Sequence, residues 1–382
     1  MRVTTTLSLA AMLIAATVTA ATPTDAPRIT TEKATITATV VASGLDHPWG
    51  IAILPDGRML ITERSGRMRI FEQNGKPSKA ITGLPKVDAR DQGGLLDVAI
   101  DPDFARNGLV YWSYAEAGPG GNSTAVARGR LNAKKAKLDN VQVIFSQKPK
   151  VASTLHFGSR LVFDRTGALF ITLGERFDYT IREKAQTLDS DIGKVVRITP
   201  AGDIPNGNPF TTRPGALPEI WSLGHRNAQA AALNPNTGDL WVIEHGPLGG
   251  DEINIAKAGL NFGWPVVSFG KNYDGTPVGT GLTEAPGMTQ PIYQWTPVIA
   301  PSGMIFHSGR AFPGWKGNLF VGGLKTRVLV RLELSGNTVV KEERILGELG
   351  ARIRDVAEGA DGHLWIITDD ANGKLVRVKP AT

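Results

Sequence analysis

One unit recurs six times along this chain: an apolar strand, a turn rich in Pro, Asp, Asn and Gly, and a second apolar strand. The copies occupy residues 50–64, 97–113, 160–174, 230–245, 302–323 and 355–369, with turn glycines at 57, 108, 167, 238, 317 and 362. Further strand-like runs follow several copies, among them 67–71, 194–198 and 374–378. Short strands joined by Asp-Gly and Asn-Gly turns specify an all-β protein. A long-period repeat of such units predicts a propeller rather than a sandwich. The expectation is a six-bladed β-propeller of four-stranded antiparallel blades over residues 35–382, preceded by a linker at 21–34. The strand Thr35–Val41 is expected to complete the last blade and close the ring, because an unpaired edge is a liability. Each unit is longer than a bare blade needs. The surplus is assigned to loops at 72–93, 174–193, 200–220 and 246–300, gathered on one face, where function collects. Two tandem sandwiches are the alternative, but no composition shift or linker marks a boundary between them.

Composition supports this and removes several chemistries. Gly 44 and Pro 24 in 382 residues supply the turns, and 41% hydrophobic residues supply a core. The chain has no cysteine, which excludes disulfides, thiolate metal sites, iron–sulfur clusters and thiol nucleophiles. Any histidine chemistry must come from His47, His156, His225, His245, His307 or His363. The formal charge is +6, with the cations scattered rather than blocked, so no nucleic-acid partner is expected. Met1-Arg2 followed by the uncharged run from Leu7 to Ala20 reads as a secretory signal peptide over residues 1–20. No other stretch approaches a membrane span, so the expectation is an exported, periplasmic protein without membrane insertion.

No nucleophile elbow, zincin helix or P-loop is present. Gly118-Pro-Gly-Gly121 reads as a bare turn. Polar residues cluster instead at the ends of the repeat strands. Asp91-Gln92-Gly-Gly permits close backbone approach, and Gln92 offers both donor and acceptor. His156 precedes a first strand, where an imidazole can serve as a base at neutral pH; a satisfied structural histidine is the competing reading. Arg226-Asn227 sets a planar donor fork beside an amide. The Gly-rich turn 244–254 brings the carbonyls of Gly246 and Pro247 close to carboxylates, a set of hard oxygens suited to Ca²⁺. Lys325, Arg352 and Arg354 add cations, the last two on one face of a strand and in need of an anion between them. Together these describe a pocket for a planar, multiply negative ligand.

In this order, the motifs LDHPWGIAILPDGRMLITER, QGGLLDVAIDPDF, HFGSRLVFD, IWSLGHRN, EHGPLGGDEIN, NFGWP, WKGNLFVGGLK and RIRDV resemble those of the soluble quinoprotein glucose and aldose sugar dehydrogenases. The likeness covers most of residues 45–378 and is nearest to the periplasmic aldose sugar dehydrogenase branch. The resemblance implies a six-bladed propeller that oxidises the anomeric carbon of aldoses to lactones with pyrroloquinoline quinone (PQQ) and Ca²⁺. His156 then stands as the base and Arg226 beside the quinone carbonyls. Gln92, Asn227, Tyr273, Lys325, Arg352 and Arg354 stand as further cofactor contacts, with the cations answering the three carboxylates of PQQ. Gly246 and Pro247 would hold the cofactor's Ca²⁺ through main-chain oxygens. Glu252, with the carbonyl of Phe262, resembles a second, structural calcium site.

The sequence departs from the family pattern at several positions. Phe262 stands for a frequent Tyr, Leu248 for a frequently basic residue, Ala228 for a common Pro, and Asp91 for a frequent Gly or Glu. With no second redox domain visible, an external electron acceptor is expected; the sequence does not specify the oligomeric state, monomer or homodimer. Two other functions fit a propeller of this composition: a calcium-dependent lactonase and a non-catalytic saccharide- or protein-binding module.

Overall fold

The computed structural model describes residues 27–381; the segment read as a signal peptide lies outside the described residues. The strands form six antiparallel sheets arranged as blades. Blade 1 spans 48–71, blade 2 spans 95–146, blade 3 spans 158–223, blade 4 spans 228–295 and blade 5 spans 301–345. Blade 6 is built from both ends of the chain: Ile353–Glu358, Leu364–Thr368 and Gly373–Pro380 continue into Thr35–Leu45. The closing strand is longer than the expected Thr35–Val41. Arg28–Thr30, inside the segment read as a linker, adds a short fifth strand to the same sheet. The first strand of each blade packs beside that of the next, and the sixth returns to the first.

All six turn glycines aligned by the repeat have φ between +65° and +83°, a region open to glycine at little cost and rarely used by other residues. The Gly118–Gly121 turn is a hairpin tip between two strands of blade 2. Blade 1 departs from the four-stranded expectation, having three regular strands. Its outer edge is covered irregularly by residues 77–82, through Ser78 N to Ile70 O at 2.7 Å and Ile81 N to Met68 O at 2.8 Å. The segment 246–300, expected as one loop, holds the strands Asp251–Ile255 and Tyr293–Trp295. Alternating Asp, Glu and Asn at 251, 252 and 254 hid the first of these from a hydrophobic pattern.

The apolar core is divided into six main clusters, one between each pair of neighbouring blades. Leu60, Val98 and Trp112 join blades 1 and 2, and Met59, Ile367 and Trp365 join blades 6 and 1. Each buried Leu, Ile or Val contributes about 1.5–3 kcal/mol, so every blade depends on two neighbours.

Polar residues fill the axis. In all six blades the register shifts at the start of the first strand, as between Leu95 and Val98 or Gly158 and Leu161. Such bulges re-aim side chains. One result is Arg160, buried, whose Nη1 donates to Asp97 at 2.8 Å and Asp355 at 2.9 Å while its Nε donates to Gln229 O at 3.1 Å. One guanidinium thereby ties blades 2, 4 and 6 to blade 3. No helix among the described residues is long and apolar enough to cross a membrane.

Candidate active site on the upper face

Each blade's second strand ends where its first begins, and this shared rim is the upper face. An acidic residue ends the second strand, or follows it within two residues, in four blades: Glu63, Glu175, Glu244 and Asp369. Each organises the residues around it. Glu175 holds His156, with Nδ1 and Oε1 2.6 Å apart. A carboxylate only accepts, so Nδ1 carries the proton and Nε2 presents its lone pair. Nε2 has no protein partner among the described residues. His225 in blade 4 makes the matching pair with Glu244 at 2.9 Å, but its Nε2 is taken by the Ser222 hydroxyl at 2.8 Å and its ring stacks on Phe262. His225 is thus the satisfied structural histidine, and His156 is the one left open.

Neighbouring residues fix the backbone of His156. The side-chain carbonyl of Gln92 accepts its N–H at 2.9 Å, and Asn227 Oδ1 accepts the N–H of Gly158 at 3.1 Å. A Cβ on Gly174 would lie 1.9 Å from His156 O, so the strand end must be glycine for the histidine to sit there. Burial and the nearby Arg226 charge push His156 down to about 4. It is therefore neutral at pH 7 and able to accept a proton.

Arg226 is buried, donates its N–H to Glu244 at 2.5 Å, and sends Nη1 to the carbonyls of His245 and Gly246, each at 2.9 Å. Its guanidinium lies 5.2 Å from the centre of Trp264. Its Nε is buried without a partner, as is Nε of Arg354. His245, a second imidazole in this cluster, is held at Nε2 by Pro301 O at 2.5 Å, and burial with the Arg226 charge pushes it down to about 3.

Arg352 and Arg354 do share an anion, and that anion is Asp369: Nη2 of each lies 2.8 and 2.7 Å from Asp369 Oδ2. The sequence reading left that anion to a ligand. Arg354 also reaches Gln229 Oε1 at 2.8 Å. Lys325 is exposed, and its ammonium has no protein partner among the described residues. Tyr273 is 54% exposed, at the rim, with its ring 5.8 Å from that of Phe177. Phe177 in turn lies 4.9 Å from the His156 ring. Glu175, which holds His156, also lines a small pocket with Phe177, Arg182, Arg226 and Trp264.

Gly246, Pro247, Glu252 and Phe262 line one small adjoining cavity, with Glu244 on its wall. Glu244 and Glu252 face each other across the ladder. Burial and the Glu244 charge push Glu252 up to about 8. Asn254 donates to both carboxylates at 2.9 and 3.3 Å, leaving its own Oδ1 buried and unpartnered. Among the described residues no three His, Asp or Glu side chains converge on a metal position, so an ion here would draw on main-chain oxygens. Although Arg226 also lines it, the cavity is rich in oxygens and fits a hard divalent cation. The donors left over on the rim, at Arg226 Nε, Arg354 Nε, Lys325 and the Gln92 amide, fit a ligand rich in acceptors and negative charge.

Residues 45–377 match the family model described as Glucose / Sorbosone dehydrogenase. The chain belongs to that family. Among its relatives, the aldose sugar dehydrogenase YliI of Escherichia coli (strain K12) is 45% identical over 350 residues, which are 91% of this chain and 94% of that one. The crystal structure of the soluble aldose sugar dehydrogenase from Escherichia coli in the apo-form superposes with a TM-score of 0.87 at 44% identity, covering 91% of this chain and 100% of that one. The PQQ-bound aldose sugar dehydrogenase from Streptomyces coelicolor superposes at 0.74 with 28% identity, covering 91% and 99%. This member of the Glucose / Sorbosone dehydrogenase family thus matches the solved dehydrogenases around the whole ring. Sequence reasoning missed Glu175, Asp369, Phe177 and Trp264; the recurring acid at the second-strand end was the signal available for the first two.

Proposed function

We propose that this chain is a quinoprotein aldose dehydrogenase that oxidises the anomeric carbon of aldose sugars to lactones, with PQQ and Ca²⁺ on the upper face. The observation that carries this reading is the unpartnered Nε2 of His156, buried, neutral and backed by Glu175. Bound PQQ supplies a two-electron acceptor for the hydride of the anomeric carbon. The protein does the rest. His156 Nε2 takes the proton of the anomeric hydroxyl, and Glu175 stabilises the imidazolium that results. Arg226, Arg354, Lys325, Gln92 and Asn227 would hold the cofactor, with Arg226 placed to stabilise negative charge developing on it. Arg352 is partly committed to Asp369, and Tyr273 closes the rim. Gly246 and Pro247 would hold the cofactor's cation through their carbonyls, and Glu252 with Phe262 O a second cation.

The uncharged run at 7–20 supports export to a periplasm. Electrons would leave the reduced cofactor to an external acceptor. Reconstitution tests the reading: the purified chain with PQQ and Ca²⁺ should reduce an artificial acceptor dye in an aldose-dependent manner. Absence of dye reduction across an aldose panel, with no quinone binding by spectral titration, would overturn it.

A further inference from the structure

We propose that Arg176 is a positioning residue for His156: its guanidinium cross-links the chain beside the imidazole to the chain that follows Glu175, and so sets the direction in which Nε2 points. The inference rests on His156 being the base. Arg176 is fully buried, and no carboxylate lies within ion-pairing distance among the described residues. Its Nε donates to Leu155 O at 3.0 Å and its Nη2 to Ser153 O at 2.7 Å. Nη2 also reaches Asn122 Oδ1 at 2.7 Å and Nη1 reaches Asn122 O at 3.2 Å. The Ser153 hydroxyl returns a hydrogen bond to Arg176 O. The guanidinium lies 3.9 Å from the centre of the Phe157 ring. Leu155 and Phe157 flank His156, and Arg176 directly follows Glu175, so one side chain grips both members of the pair from behind.

The backbone shows why a grip is required. His156, Arg176 and Phe177 have φ of 48°, 71° and 50°, a region that non-glycine residues adopt only when their surroundings enforce it. An apolar side chain would serve core stability as well as a buried, carboxylate-free cation does. It could not tie residues 122, 153 and 155 together. Lys could not either, since its three donors share one atom while the guanidinium fork spreads its donors in a plane.

The test uses Arg176→Met, similar in length and apolar, with Arg176→Lys and Asn122→Ala as milder variants should the first not fold. In the protein without cofactor, the Nδ1 proton of His156 held against Glu175 gives a downfield imidazole signal in ¹⁵N-edited NMR, and that of His225 serves as internal control. Expected is loss or marked shift of the His156 signal with His225 unchanged, and in reconstituted enzyme a fall in kcat of more than tenfold with KM little altered. An unchanged His156 signal and kcat, with only a lowered melting temperature, would overturn the proposal. If wild-type protein itself oxidises no aldose, the dehydrogenase reading fails, whereas the NMR comparison still decides the role of Arg176.

Discussion

Nδ1 of His156 lies 2.6 Å from the Glu175 carboxylate, and one blade further round Nδ1 of His225 lies 2.9 Å from Glu244 across the same 19-residue offset. The repeat supplied one His–Glu pair twice. Only one copy kept its second nitrogen free. The two should therefore fail differently when removed. His156→Ala is expected to lower turnover by about 10²–10⁴-fold, the usual cost of a lost base. His225→Ala strands the buried Ser222 hydroxyl and takes one of three donors from Glu244, which keeps the Arg226 N–H and Asn254, and should cost about 1–3 kcal/mol of stability. Turnover and urea melts on both variants separate these outcomes.

The acid limb of the pH profile follows from the environment of His156. Burial and Arg226 depress it from an ordinary 6.5 to about 4, so the imidazole is unprotonated, and competent as a base, throughout the range above 4. The expected kcat/KM is flat between 5 and 7 and falls only as pH drops through about 4. A limb centred near 6.5 would show that His156 is not the titrating base.

Gly174→Ala puts a methyl group against the main chain of His156, with Asn227 Oδ1 a further 3.1 Å contact. Backbone cannot yield as a flexible side chain does. We expect a loss of about 1–3 kcal/mol from overpacking and a drop in turnover approaching 10²-fold, since a displacement of about 1 Å at a reacting group has that effect. A variant with wild-type turnover would show that the histidine tolerates the shift.

How much of this was legible in the sequence depended on whether the signal was local. The turn glycines were, because a tight turn needs φ above zero at one residue, and all six were found where the repeat put them. Ring closure was legible from the cost of a free edge, although its full length, Thr35–Leu45, was not. The strand at 251–255 was missed because the face it shares with Glu244 carries Glu252 and Asn254 rather than apolar side chains. Glu175 and Asp369 lie outside the motif segments that carry their partners, and the Arg352–Arg354 pair looked unanswered until folding brought Asp369 between them. The six bulges that aim residues into the axis leave no pattern that hydrophobic periodicity can detect.

Cation binding at the Glu244–Glu252 cavity makes a prediction about stability without reference to activity. Calcium at about 100 times its dissociation constant would add about 2.7 kcal/mol if it binds only the folded chain, visible as a rise of several degrees in melting temperature that a chelator reverses. Glu252→Gln removes a carboxyl that burial and Glu244 keep protonated at a cost in folding, and should raise the melting temperature of the chelator-treated protein while abolishing the calcium response. An identical calcium response in that variant would show that the ion binds elsewhere.

Arg160→Met leaves Asp97 and Asp355 facing each other at the axis without their shared cation. Stranding buried charge in this way costs about 3–5 kcal/mol. The double variant with both carboxylates changed to Asn should recover part of that loss in urea unfolding. No recovery would place the effect in the packing of Arg160 on Trp49, 4.7 Å away.

The strand at 35–45 is among the first parts of the propeller to be synthesised, yet its ladder partner at 373–380 is among the last. Blade 6, which carries Arg354 and Asp369, is therefore incomplete until nearly the whole chain is available. A nascent or prematurely terminated chain can form hairpins but not the finished rim of the site. A chain lacking the 373–380 strand leaves the edge of 35–45 bare, and an unpaired edge is a template for other chains.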